Sequence, residues 1–238
     1  MSEYSLSSGV AMSRGTFQRI PAEKQRLILD TAMHEFASKG FHKANINTIA
    51  ERAGISVGAM YKYFSSKQEL FLETLQLGID FLNDTYAAVS GSPGNPFEKI
   101  RAVFTNALAH ALDNPQVLQL YLSLLSPSMD DLAATYARTI EEVGHTHLKK
   151  IVADGIRDGF IRRDLDQDIA ILFLDNHLMM FVFSQVSAYL KIRQETFLEG
   201  RVNPERFIRE TVLVCKRMFG TDETTLPGAT RSVRQKGV

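Results

Sequence analysis

NINTIAERAGISVGAMYKYFSSKQELF, residues 45–71, reads as two short helices around a glycine turn, followed by the start of a third. Asn45 is a good N-cap, and Ile46, Ile49, Ala50 and Ala53 repeat at the spacing of one buried helix face. Gly54 breaks that helix, Ile55 is expected to pack inward from the turn, and Ser56 caps the next helix. Ser66 and Glu69 form a capping box for a helix running to about residue 88. Two helices joined through Gly54-Ile55-Ser56 make a helix-turn-helix, whose second helix is the one that enters a DNA major groove. At about 100° per residue, with Met60 and Phe64 turned to the core, Gly58 and Lys62 point outward. Ala59 and Tyr61 flank that outward face, and Tyr63 lies at its rim.

The chemistry of this face suits a duplex. Small residues at its start let the helix approach the groove, a tyrosine can meet a thymine methyl or a phosphate, and a lysine can reach phosphate or guanine. Lys67 stands in the first turn of the following helix, where a cation is disfavoured by the helix dipole; a phosphate docked there would reverse the penalty. Taken singly, the tyrosines read equally as half-buried packing residues and the lysines as solvated surface. Together with the caps, the turn glycine and the spacing, they point to DNA.

Upstream, a helix starts at Pro21 with the stripe Leu29, Ala32, Met33, Phe36, Ala37 and stops at Gly40. Residues 1–19 are Ser/Gly-rich and read as a loose arm, within which Met12 is an alternative start to Met1. Downstream of SGSPGNP, helices are expected over 97–112, 115–125, 129–158, 166–198 and 204–219, with Asn114-Pro115 and Ser126-Pro127 as boundaries. Residues 221–238, with Arg231, Arg234 and Lys236, read as a second loose tail. The expected organisation is all-α: arm 1–19, helix-turn-helix domain 20–66, a larger helical effector-binding and dimerisation domain 67–220, and tail 221–238.

The 238 residues carry 27 basic and 27 acidic side chains, but unevenly. Between Ala11 and Lys67 there are nine Lys/Arg against four Asp/Glu, and from Gln68 onward eighteen against twenty-two. A basic front on a mildly acidic body suits a polyanion partner. The single cysteine, Cys215, permits no intramolecular disulfide and no thiolate metal site, which fits a reducing cytoplasm. The first twenty residues lack the apolar core of a secretory signal. The most apolar stretch, Ile169–Ile192, is interrupted by Asp175, Asn176 and His177, so no membrane span and no membrane partner are expected.

That stretch is apolar nearly all round and needs cover on every side. With the last helix (Phe207, Val212, Leu213, Val214, Phe219), it is expected to form a four-helix seam with a second copy, as a two-fold protein on a roughly palindromic site would. Burial within one monomer is the alternative. Asn176 and His177, set among apolar neighbours that include Met180, need polar partners from protein, water or a ligand; for His177, a satisfied core histidine is the plainer reading.

Residues 45–71 resemble the N-terminal DNA-binding domain of the TetR (tetracycline-repressor-like) family. The resemblance rests on Ile49-Ala50, Ala53-Gly54-Ile55-Ser56, Gly58, Tyr61-Lys62-Tyr63-Phe64, Ser66-Lys67-Gln68-Glu69-Leu70 and FASKGF at 36–41, and covers roughly residues 22–75. It implies an all-helical homodimer that represses transcription and releases double-stranded operator DNA when a small molecule binds the larger domain, in a prokaryotic cytoplasm and at the nucleoid when bound. By position it places Asn45, Ser56, Val57, Gly58, Ala59, Tyr61, Lys62, Tyr63 and Lys67 at DNA. Thr or Ser often stands where this sequence has Asn45 or Ala59, and Val57 is often polar, which leaves Val57 and Ala59 with apolar contact to offer. It also implies that Phe104, Leu108, Tyr121 and Leu124 come from pocket-lining helices, to which Asn176, His177 and Met180 are added. The Met and Phe content suits an apolar or aromatic effector.

No enzyme is expected, since no GxSxG, Walker or Cys/His nucleophile pattern is present. No cofactor or metal is expected. His145 and His147, two apart on a helix, point to different sides. Asp164, Asp166, Asp168 and Asp175 have Ile169 where a calcium loop needs glycine. The rivals are a DNA-binding regulator without an effector and an enzyme joined to a DNA-binding domain.

Overall fold

A computed structural model describes residues 15–221, and among these there is no strand, only a single antiparallel bridge between Ile161 and Gly220. The head of the chain is built from α1 (Ala22–Lys43), α2 (Ile46–Arg52), α3 (Val57–Tyr63) and the long α4 (Lys67–Gly91). Then follow α5 (Pro96–Asp113), α6 (Pro115–Ser123), a 3₁₀ turn at Pro127–Met129, α7 (Asp130–Arg157), α8 (Gln167–Phe183), α9 (Ala188–Phe197) and α10 (Pro204–Phe219). No single described helix is long and apolar enough to cross a membrane. The expected arm and tail, the choice between Met1 and Met12, and Arg231, Arg234 and Lys236 lie outside the described residues, except for the end of the arm.

That end is not loose. Phe17 is buried and its ring lies 4.7 Å from Phe64 and 5.9 Å from Tyr63, so it closes the core beneath α3. A Ser/Gly-rich context hid one aromatic anchor.

The helices gather into two compact units: the chain up to Leu82 with Ala111–Arg138, and Asn83–His110 with the chain from Thr139 on. In the first, α1 buries Ile28, Leu29, Ala32 and Phe36 and packs on α2, which buries Ile49 and Ala50; α2 in turn meets α3, which buries Met60. The backbone leaves the helix at Gly40 (φ 71°), turning Phe41 onto Phe71 of α4, rings 5.4 Å apart. α6 packs along α1. A Cβ built on Gly78 of α4 would stand 2.5 Å from Cγ1 of Val117 in α6, so these helices meet only because one position lacks a side chain.

In the second unit, α8 buries Ala170, Ile171, Leu174, Leu178 and Phe181, within a core that also holds Ile151 and Val152 of α7 and Ile208 and Val212 of α10. The single helix expected over 166–198 is two helices bent by 109°. Ser184 Oγ donates to the Phe181 carbonyl at 2.6 Å, and Gln185 Nε2 to the same carbonyl at 3.2 Å. These side chains take a carbonyl at the end of α8, which is how Ser and its neighbours end helices. Ser187 Oγ then accepts from the Leu190 N–H and restarts the chain as α9. The other expected helix ends agree with the observed ones to within a turn.

Candidate nucleic-acid interface

The turn between α2 and α3 is fixed by short polar bonds. Asn45 Oδ1 accepts from the Asn47 N–H at 2.8 Å and Ser56 Oγ from the Ala59 N–H at 3.1 Å, so both residues are N-caps as their positions predict. Gly54 adopts φ 64°, where L side chains are strained. Lys24 Nζ donates to the Ala53 carbonyl at 2.7 Å, closing the end of α2 from α1.

Glu35 is a fastening that the sequence reading missed. Its carboxylate is fully buried, accepts from the Asn45 N–H at 3.3 Å, and is paired with Lys39 at 2.9 Å and with Arg52 at 3.6 Å. Burial pushes its proton affinity up, but Lys39, the Asn45 N–H and Arg52 outweigh that and hold it below the usual carboxylate range. The available signal was a lone acid beside Phe36 in the apolar stripe of α1.

With this frame, Met60 and Phe64 are buried, at 1% and 3% exposure, and Tyr61 is 52% exposed. Val57, Gly58 and Lys62 are exposed, while Ala59 and Tyr63 are half-buried. Asn45 and Ser56 are exposed at the starts of α2 and α3. The outward face expected from helical geometry is therefore present, with Val57 added at its start. Ile55 is only half-buried in the turn.

Lys67 differs from the reading that a phosphate is needed to explain it. Its Nζ donates to the carbonyls of His42 at 3.0 Å and Ala44 at 2.8 Å, and lies 5.1 Å from the centre of the Phe41 ring. It sits on the carbonyl end of α1, where a cation is favoured, and burial lowers its proton affinity. The capping box also shifts by a residue. Ser66 Oγ accepts from the Glu69 N–H, but Glu69 reaches back to the Ser65 N–H and hydroxyl at 2.6 and 2.7 Å.

Residues 28–74 match the model of the family described as bacterial regulatory proteins, tetR family. The match covers the helix-turn-helix head of the chain. The chain is also similar to proteins named as transcriptional regulators. It is 28% identical over 159 residues to the HTH-type transcriptional repressor KstR2 of Mycolicibacterium smegmatis, covering 65% of this chain and 75% of that one. Over 65 residues it is 42% identical to the HTH-type transcriptional activator FasR of the same species, covering 27% of this chain and 30% of that one. Among solved structures it superposes on FadR from Bacillus subtilis in complex with stearoyl-CoA, with a TM-score of 0.64 at 17% identity, covering 80% of this chain and 96% of that one.

The second unit holds a groove between α8, α9 and α10. One lobe, about 250 Å³, is walled by Phe173, Phe207, Thr211, Val214 and Cys215. The adjoining lobe, about 380 Å³, adds Asn176, Met180, Arg193 and Phe197. His177, Phe173, Phe207 and Leu198 line both. The His177 ring is nearly parallel to Phe173 and Phe207, at 6.2 and 5.1 Å, and Phe207 stacks on Phe181 at 4.5 Å. His177 Nε2 is hydrogen-bonded to Thr211 Oγ1 at 2.9 Å, and burial lowers its proton affinity, so the imidazole is neutral at pH 7. Of the expected effector residues, Asn176, His177 and Met180 line the groove, and Phe104 backs His177 with rings 5.8 Å apart. Leu108, Tyr121 and Leu124 line neither lobe, and the last two belong to the first unit. Asn176, expected among buried groups, is exposed on α8.

Behind α8, Asp175 packs on bare helix: a Cβ on Gly144 would lie 3.0 Å from Asp175 Oδ1. Burial and the nearby Glu141 push its carboxyl up to about 6. A raised acid favours the folded state at low pH and loses that contribution as pH rises through its folded value. Asp175→Asn is therefore expected to melt a few degrees above the wild type at pH 7.5, with the gap closing below about pH 4, read by calorimetry across pH.

Proposed function

We propose that this chain is a homodimeric repressor in the bacterial cytoplasm, at the nucleoid when bound, whose two α3 helices read a roughly palindromic operator and which a small apolar or aromatic effector releases. The observation that carries the DNA half is the exposed Val57–Gly58–Tyr61–Lys62 face on a helix whose opposite side is locked by Met60 and Phe64. Asn45, Ser56, Ala59, Tyr63 and Lys67 border it, with Asn45 and Ser56 offering polar atoms to the phosphates. DNA contact belongs to residues 20–66, and effector binding and dimerisation to 67–220. The relatives described as KstR2 repressors support the sign of regulation.

The effector reading rests on the ring-lined groove around His177. Its apolar floor takes a hydrophobic body, and Arg193 and Arg206 at its walls admit an anionic group. A solved neighbour binds stearoyl-CoA, and another is described as a ketosteroid regulator. The seam is supplied by the exposed stripes Ile169, Leu172, Phe173, Met180 on α8 and Leu213, Val214, Met218 on α10.

The test begins with an operator selected from random duplexes. Stearoyl-CoA, stearate and a 3-ketosteroid are then titrated against both melting temperature and operator affinity. One class is expected to raise the melting temperature and to weaken operator binding by about tenfold or more, since a ligand shifts the equilibrium only by its differential affinity. A compound that saturates the protein and leaves operator affinity unchanged removes the switch.

A further inference from the structure

We infer that Phe17 anchors an N-terminal arm that reads the minor groove beside the α3 site, with Arg14 as the inserted side chain. The inference rests on the DNA reading above and adds a second contact to it, in the other groove. Phe17 is 3% exposed, with its ring 4.7 Å from Phe64 and 5.9 Å from Tyr63. Tyr63 is the last residue of α3 and Phe64 is its C-cap. Gln25 of α1 holds the same segment from its other end: its Nε2 donates to the Gln18 carbonyl at 3.3 Å and to the Ile20 carbonyl at 2.8 Å. Between them, the Arg19 N–H donates to the Thr16 carbonyl and the Ile20 N–H to the Phe17 carbonyl, each at 3.3 Å. The point from which the arm leaves the head is therefore fixed at the C-terminal end of α3.

A recognition helix puts its first residues on base edges, so its far end lies toward the sugar–phosphate ridge. A segment rooted at that far end stands at the ridge between the two grooves. Thr16, Gln18 and Arg19, around Phe17, are polar and exposed, as a segment crossing that ridge needs. Arg14 precedes Phe17 by three residues, a reach of about 10 Å before its own side chain is counted. It is the only charged residue from Ser7 to Thr16, and it stands between Ser13 and Gly15. Small neighbours suit a groove about 6 Å wide, too narrow for a helix. A guanidinium is drawn to the negative potential of a narrow A·T-rich minor groove, and it sheds water more readily than an ammonium. A tail that served solubility alone would need no buried aromatic ring at its root.

The experiment uses the full chain on the selected operator, with the base pairs beside each half-site changed from A·T to G·C or to inosine·cytosine, which lacks the minor-groove amino group. Wild type is expected to lose about tenfold on G·C, to bind inosine·cytosine as it binds A·T, and to protect the flanking adenine N3 from dimethyl sulfate. Arg14→Ala is expected to bind all three duplexes alike, at the G·C level, with guanine N7 protection by α3 unchanged. Phe17→Ala keeps Arg14 but frees the root of the arm, and is expected to lose the same preference while its melting curve shows a folded head. A wild type indifferent to the flanks, or an Arg14→Ala variant that keeps the A·T preference, overturns the arm. Equal weakening of Arg14→Ala on every flank, with a flatter salt dependence, means phosphate attraction alone and also overturns it. Full preference in Phe17→Ala overturns the anchor. Absence of guanine N7 protection in wild type fails the DNA reading itself, and the arm with it.

Discussion

Replacing Tyr61 and Lys62 together by alanine is expected to weaken operator binding by about a hundredfold or more while leaving the melting temperature of the protein unchanged. Tyr61 is 52% exposed and Lys62 is exposed, so neither contributes much to the core. A base or phosphate contact is worth about 1–3 kcal/mol, and a dimer loses each contact twice. Removing Lys62 also flattens the dependence of affinity on salt by roughly one phosphate per copy. Lys67→Ala provides the contrast. Its ammonium already holds the His42 and Ala44 carbonyls, so its loss lowers the melting temperature by a few degrees and weakens binding through the position of α4. Fluorescence anisotropy over a salt series separates the two, and normal affinity in the Tyr61/Lys62 variant contradicts the interface.

Gly78→Val is expected to destabilise the first unit by about 2–3 kcal/mol, the range for forcing extra carbon atoms into a packed core. The nearest atom to a new Cβ is 2.5 Å away on Val117, a buried, β-branched side chain with no rotamer to retreat into. The effect falls on the contact between α4 and α6 alone, so α8, α9 and α10 keep their protection. Chemical denaturation followed by exchange mass spectrometry reads both. Wild-type stability in this variant would mean that α4 and α6 do not approach as described. Gly155 is similarly tight, at 2.8 Å from Ile161 and 2.9 Å from Pro96, and fixes the second unit in the same way.

The head was legible because its signals are local. Asn45 and Ser56 cap the helices that follow them, Gly54 takes the conformation only glycine tolerates cheaply, and 100° steps place Met60 in and Lys62 out. What escaped was long-range. Nothing near Lys67 in sequence announces the His42 carbonyl twenty-five residues back, and Glu35 becomes a fastening only when Asn45 and Arg52 fold over it. The bend after α8 was readable in the run Ser184-Gln185-Val186-Ser187, but an apolar stretch on each side argued for one continuous helix. The groove was hardest: Asn176, His177 and Met180 are spaced for one helix, whereas Phe207 and Arg193 reach them from separate helices that a linear reading cannot bring together.

The central claim is that the outer face of α3 lies in the major groove of duplex DNA. Dimethyl sulfate protection on the selected operator tests it most directly, because guanine N7 faces the major groove and adenine N3 the minor. Wild-type protein is predicted to protect guanine N7 in two clusters related by two-fold symmetry, and Tyr61→Ala/Lys62→Ala to lose both. Protection confined to adenine N3, or N7 protection unchanged in the variant, would contradict the account.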